Sequence, residues 1–273
     1  MNKKWVVLGE KKWVENEKVQ CIDFDQIDKI GFHLNSNLEL EIHDHAGNWF
    51  QAAGVLWRGQ FDREPLRQHA LLSFLKSSSA PCINSAELIL NYGDRISMHT
   101  GLKRLGYPVV EADFLFGANS YSYFYEPSLP CVLKVGNWHM GYGKMKCTTK
   151  ENWLDAADMA SISRDYVGIE KFIHYKRDVR VLIIGEYVCC IERIPSQWKA
   201  NVCPLQVIMV ESPESIKKLS IEISSCLGSS ILGIDWVEDT YGNWKILEAN
   251  FAPGLEWEGV DLRGMVNEML LQT

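Results

Sequence analysis

The sequence has eight cysteines (Cys21, Cys82, Cys131, Cys147, Cys189, Cys190, Cys203 and Cys226) but no C-x-x-C pair and no metal-ligand spacing among them. It also shows no signal peptide: the start, M-N-K-K-W-V-V-L-G-E, is basic but reaches a glutamate before an adequate apolar core forms. Reduced thiols and a cytoplasmic setting are therefore expected. No uninterrupted apolar segment is long enough to span a bilayer, so no membrane partner is expected. Positive charge is not in excess either. A net charge of −7 argues against an obligate nucleic-acid or anionic-membrane surface, although local basic patches remain compatible with it. No internal repeat, low-complexity tract or long linker is present. No Ser-His-Asp or Cys-His constellation stands out, and nothing marks a dedicated general base.

What is present is an ordinary globular composition, 47% apolar and 23% charged, in 273 residues, enough for two or three compact units. The first part, to about Leu90, alternates short apolar runs with turn residues. Strands are predicted at Lys4–Leu8, Gln20–Phe24, Leu38–Ile42 and Gly54–Trp57. After Asp62, the apolar positions Leu66, Ala70, Leu71, Phe74 and Leu75 recur at helix spacing, with Pro65 near the first turn. Such alternation suggests an open α/β unit. His43 and His45 flank Asp44 and read more simply as exposed strand histidines than as metal ligands.

A second unit begins near Asn84. Asp94 can cap a helix carrying Ile96, Met98, Leu102 and Leu105, stopped by Gly106. The aromatic run Tyr121 to Tyr125 reads as loop or edge strand. A strand is predicted at Pro130–Val135, a helix at Glu151–Ser161, and strands at Gly168–Ile173, Asp178–Ile184 and Tyr187–Arg193. Ser212 is placed as the cap of a helix with Pro213 at its first position, Ile216, Leu219, Ile223 and Leu227 on one face, and Gly228 after its end. Val260 to Leu271 closes the chain as a helix.

Three stretches carry candidate chemistry. Ile231 to Leu255 reads as a hairpin around Asp239 to Asn243. Strand alternation points Glu248 and Asn250 the same way, and Asp235 on the partner strand could join them. Two carboxylates and an amide are hard oxygen donors of the kind Mg²⁺ takes. An acidic hairpin edge fits the same residues. Gly136, Gly141 and Gly143 form a loop between two strands, with Lys134 before it and Lys144 after it. Lacking a helix behind it, this loop is neither a P-loop nor a Rossmann fingerprint, and either a phosphate-covering hairpin or a plain surface hairpin suits it. Arg180 and Arg193 lie on adjacent strands, placed to clamp an anion or to pair with Asp178 and Glu192.

Taken in order, Val132-Leu133-Lys134 with the glycine loop, Glu170-Lys171-Phe172-Ile173, Asp178-Val179-Arg180-Val181, Trp198-Lys199-x-Asn201, Gly233-Ile234-Asp235 and Glu248-x-Asn250-x-x-Pro253-Gly254 resemble the ATP-grasp superfamily. The likeness is greatest to synapsins and to the ribosomal-protein glutamate ligase and glutathione synthetase group. It covers about Asn84 to the C-terminus and, more weakly, the unit before it.

The resemblance implies an α/β fold: an N-terminal open α/β (pre-ATP-grasp) domain over residues 1–90, then a two-subdomain α+β ATP-grasp fold over 91–273, divided near 168. It implies ATP and Mg²⁺ as cofactors. Lys134 would touch the α- and β-phosphates and the Gly136 to Lys144 hairpin would fold over the triphosphate. Glu170, Lys171, Phe172 and Ile173 would offer backbone to adenine. Asp235, Glu248 and Asn250 would hold metal, with Arg180, Lys199 and Asn201 facing the γ-phosphate and acyl group. Arg193 and Asp178 are counted with the catalytic and nucleotide-binding residues respectively. Arg95 stands, in Asp94-Arg95, where the family usually has lysine.

The implied reaction is carboxylate–amine ligation through an acyl phosphate, with a carboxylate and an amino-acid or peptide amine as partners. A homodimer is allowed for. A synapsin-like ATP-binding protein without turnover and an ATP-grasp kinase are the alternatives. As the resemblance suggests, synapsins lack the Glu-x-Asn signature present here, which favours the ligase.

Overall fold

The computed structural model describes all residues except 1, 2, 11, 12, 14, 45, 60–64, 117–124, 139, 140, 164, 200, 201, 203, 258 and 273, and the side chain of Phe24. Asp62, His45, residues 121–124 of the aromatic run, His139 and Met140 of the glycine loop, and Asn201 thus lie outside the described residues.

Three sheets organise the chain. The first contains β1 (Lys4–Leu8), β2 (Val19–Ile22), β3 (Gly31–Leu34), β4 (Leu40–His43), β5 (Trp49–Trp57) and β6 (Cys82–Ile83), in the order β2-β1-β5-β4-β3 with β6 beside β5. β1 pairs in parallel with β2 and β5, so their carboxyl ends share one rim. Short α1 (Phe24–Ile27) is closed by a capping box from Asp23. Helices α2 (Pro65–Lys76) and α3 (Ala86–Tyr92) cover the sheet, with Leu72, Leu75 and Ile89 packed on Val55 and Trp57. The open α/β reading of this part matches that arrangement.

α4 (Arg95–Arg104) starts where expected, because Asp94 accepts the orphan N–H groups of Ile96 at 2.9 Å and Ser97 at 3.0 Å. The second sheet is antiparallel: β7 (Ala112–Leu115), β8 (Cys131–Val135), β9 (Lys144–Cys147) and β10 (Val167–Lys171), ordered β7-β10-β8-β9. α5 (Lys150–Ser163) buries Trp153, Ala156, Ala157 and Ala160 against it. The chain passes to the third sheet at residues 172–174, slightly beyond the expected division near 168.

The third sheet, β13-β12-β11-β14-β15, joins β11 (Tyr175–Ile184), β12 (Tyr187–Pro195), β13 (Pro204–Val210), β14 (Ile231–Asp239) and β15 (Trp244–Asn250). One face packs on α6 (Glu214–Leu227) through Ile216 and Ile223, and part of the other meets α7 (Leu262–Gln272) and the first sheet. The start of α6 differs from expectation. Pro213 holds the N-cap position at φ −54°, ψ 126°, so the helix begins at Glu214 and Ser212 is not its cap. Its end agrees, with Gly228 left-handed at φ 66°. β13 was not anticipated, since Pro-Leu-Gln-Val-Ile-Met-Val lacks the apolar/polar alternation that marks a half-buried strand.

Candidate functional site

The second and third sheets face each other across a cleft. One wall comes from β8, β9, β10 and the segment after β10: Val132, Lys134, Lys144, Glu170, Lys171, Phe172 and Ile173. The other comes from β11, β12, β14, β15 and the loop after β12: Tyr175, Asp178, Arg193, Trp198, Lys199, Asp235, Val237, Leu247 and Glu248.

On the first wall, Lys134 donates to Glu170 and both side chains are buried. Burial pulls the Lys134 ammonium down from its ordinary 10.5 to about 8, against the pull of Glu170 in the other direction. Glu170 is thus engaged within the wall through its side chain. It lies within β10, opposite Ala112 of β7 and Val132 of β8. In the segment that follows, expected to offer backbone to adenine, the Phe172 N–H donates to the Pro130 carbonyl at 3.0 Å. Lys146 caps the Phe172 ring at 3.6 Å.

The glycine loop joins β8 to β9. Gly136, Gly141 and Gly143 have φ values of 51°, 81° and 63°, a region that a side chain makes costly, and a Cβ on Gly136 would strike Asp165 at 2.1 Å. Arg95 does not line the cleft. Its guanidinium is buried and donates to the Gly136 carbonyl at 3.2 Å and the Trp138 carbonyl at 2.8 Å, so it fastens the base of the loop. Lys199 reaches the loop from the other side, donating to the Gly141 carbonyl at 3.2 Å.

On the second wall, the hairpin register is the expected one. Asp235 stands opposite Glu248, and Gly233 opposite Asn250. The arginines, though, are engaged within the protein. Arg180 forks onto Asp235 at 2.7 and 2.8 Å, while Arg193 donates to Asp178 at 2.7 Å and approaches Asp235 at 3.2 Å. Glu192, considered as a partner for these arginines, instead pairs with Arg177 at 2.9 and 2.8 Å. Burial alone would raise Asp235, but Arg180 and Arg193 together hold it below the ordinary carboxylate range. Asp178 goes the other way: burial outweighs Arg193 and lifts it to about 6.

Glu248 approaches Lys144 at 3.6 Å, and it borders a second, smaller cavity whose lining includes Trp57, Arg95, Asn137, Asn250 and Phe251. Asn250 belongs to that second cavity, and its Oδ1 accepts the Ala252 N–H at 2.9 Å. Asp235 and Glu248 are thus adjoining hard-oxygen donors, one of them held ionised, and this chemistry fits Mg²⁺. A metal on Asp235 would draw that carboxylate from Arg180. Among the described residues no three of His, Cys, Asp and Glu converge as a metal cluster, and His43 stacks on Trp49 with Glu41 at 3.7 Å.

Leu247 and Glu248 both line the cleft although consecutive strand residues face opposite ways. A register shift between the Asp235–Glu248 and Trp236–Ile246 pairs marks a bulge at Leu247 that turns it inward. Simple alternation could not reveal Leu247. Tyr175, just after the Glu170–Ile173 segment, could have been found from its place in the chain.

The model of the synapsin ATP-binding domain matches residues 82–248. A glutamate–LysW ligase, ArgX, of Sulfolobus acidocaldarius is 26% identical over 196 residues, covering 66% of this chain and 67% of that one. Among solved structures, the ATP-grasp ligase PsnB complexed with a minimal precursor superposes with a TM-score of 0.69 at 16% identity over 100% of both chains. The macrocyclase MdnC bound with precursor peptide MdnA, from Microcystis aeruginosa MRC, superposes with a TM-score of 0.72 at 13% identity over 99% of this chain and 100% of that one.

Proposed function

We propose that the chain, which belongs to the family of the synapsin ATP-binding domain within the ATP-grasp superfamily, is an ADP-forming ligase joining a carboxylate to an amino-acid or peptide amine, a reading supported by its likeness to the glutamate–LysW ligase. The observation that carries this reading is the pairing of walls. Lys134 and Glu170 face the Asp235–Glu248 carboxylates and Arg193 across one cleft, and a second cavity opens past Glu248.

In this reading the nucleotide lies in the cleft. Lys134 and Lys144 meet its phosphates, and the backbone near Lys171 and Ile173 meets the base. Asp235 and Glu248, with Asn250 beside them, would hold Mg²⁺, which supplies charge neutralisation on the phosphate oxygens. The carboxylate, in the second cavity, attacks the γ-phosphorus, and the bond to the β-phosphate oxygen breaks. The amine then attacks the acyl carbon; inorganic phosphate leaves and a proton is released. Lys199 and Arg95, both on carbonyls of the glycine loop, position it over the site, where closure keeps water from the acyl phosphate. The cysteines at 21, 82, 131, 147, 189, 190 and 226 are free, which suits a reducing cytosol.

The test is phosphate release from MgATP screened over a matrix of amino acids and short peptides. Release that needs both an acid and an amine is the expected result. MgATP binding without release under any pairing would favour the non-catalytic alternative, and ADP formed with a hydroxyl compound alone, without release of inorganic phosphate, would favour a kinase.

A further inference from the structure

The seven-residue strand β13 ends the third sheet: β12 pairs with one of its edges and, among the described residues, no strand pairs with the other. Open edges present unpaired N–H and C=O groups, and soluble proteins ordinarily guard them with charge, proline or bulges. Beyond Pro204 and a register shift at its start, β13 has no such guard. Leu205-Gln206-Val207-Ile208-Met209-Val210 contains no charged residue, in a chain that is 23% charged. Three alternate apolar residues lie open to solvent, Leu205 at 73%, Val207 at 39% and Met209 at 44%, and alternation puts them on one face.

That face is the one bearing the charged cluster. Val207 stands opposite Arg193, whose guanidinium contacts Asp178 and Asp235. A strand added to β13 would lie two strand spacings, about 10 Å, from β12, so a residue leaving that strand could turn into the cleft. The loop leading to β13 carries Lys199, which already touches the glycine loop.

We propose that β13 is the docking edge for the amine-bearing substrate, a polypeptide that adds to the sheet as an extended strand with apolar residues at alternate positions. This rests on the ligase reading and narrows its acceptor from an amino acid or peptide to a polypeptide. Main-chain hydrogen bonds to the edge supply affinity, and side chains meeting Leu205, Val207 and Met209 supply selectivity. A second copy of this chain could cover the same edge. Its own β13, however, is flanked by the Lys199 loop and the lead into α6, so it would bring no chain end to the cleft.

The experiment selects a displayed library of random twelve-residue peptides on the wild-type protein, then measures the enriched peptides on Leu205→Lys and Met209→Lys. Both sites are exposed, so the fold tolerates lysine there. Enriched peptides should show apolar residues at alternate positions, and each variant should weaken them about tenfold, the effect of losing one buried aliphatic side chain. N-methylation of alternate amides in the best peptide should abolish binding. MgATP affinity, measured calorimetrically on the same proteins, should not change. The proposal is overturned if no peptide is enriched, if enriched peptides bind the variants equally well, or if sedimentation shows a wild-type dimer that either lysine dissolves. If peptides bind but MgATP does not, the ligase reading falls and the docking edge stands.

Discussion

On one wall of the cleft Lys134 and Glu170 form a closed pair, whereas on the other Asp235 is shared by Arg180 and Arg193, and Arg193 is shared in turn with Asp178. Both walls bury charge, but the consequences differ. On the first wall burial brings Lys134 down to about 8, although its pairing with Glu170 pulls the other way. A network with two guanidiniums holds its central acid, Asp235, below the ordinary carboxylate range against its burial, while Asp178 at the margin rises to about 6. The walls differ in connectivity, with an isolated pair on the first and a shared network on the second.

The comparison is broken most severely at Asp235. Asp235→Ala leaves Arg180 without its bidentate partner and Arg193 with Asp178 alone, and removing one member of a buried ionic set costs roughly 3–5 kcal/mol. Urea denaturation should show a loss of that order. Replacing Lys134 and Glu170 together by Met and Leu should cost far less, because the closed pair can be removed as a unit. Equal losses in the two variants would mean that the walls do not differ in this way.

The next effect is on turnover. Glu248→Gln keeps shape and removes one charge from the proposed metal site, and phosphate release should fall by about 10²–10³. MgATP affinity, carried by Lys134 and the segment after β10, should fall much less. Parallel turnover and calorimetry on wild type and variant decide this. An unchanged rate would make Glu248 structural.

The smallest effect concerns pH and sharpens the contrast. The folded value of Lys134 lies below its ordinary 10.5, so its burial penalty is fully present below about 8 and fades as pH rises toward 10.5. Phosphate attraction runs the opposite way and is lost as the ammonium discharges. MgATP affinity should therefore decline above about pH 8 in the wild type, approaching roughly tenfold per pH unit for a single proton. Lys134→Met should bind more weakly and show no such decline. A decline that persists in Lys134→Met would assign the titration to another group.

Much of the site was legible because its signals are local. Strand alternation alone aligned Glu248 with Asn250, and the turn at Asp239 to Asn243 brought Asp235 opposite Glu248. Asp94 announced α4 by capping chemistry, and three glycines announced a backbone that side chains would strain. Those features depend on neighbours in the chain and on periodicity, and both can be read from residue order. Which guanidinium meets which carboxylate cannot be, because it depends on lateral strand order. Arg180 took Asp235 across the β11–β14 ladder, and Glu192 took Arg177 across β11–β12. The inward turn of Leu247 needed a bulge, the fastening role of Arg95 needed α4 beside the glycine loop, and the exposed apolar face of β13 needed a sheet to end there. Alternation says which side chains share a face, but only the assembled sheets say what that face meets, since pairing energies are exchanged between segments far apart in the chain.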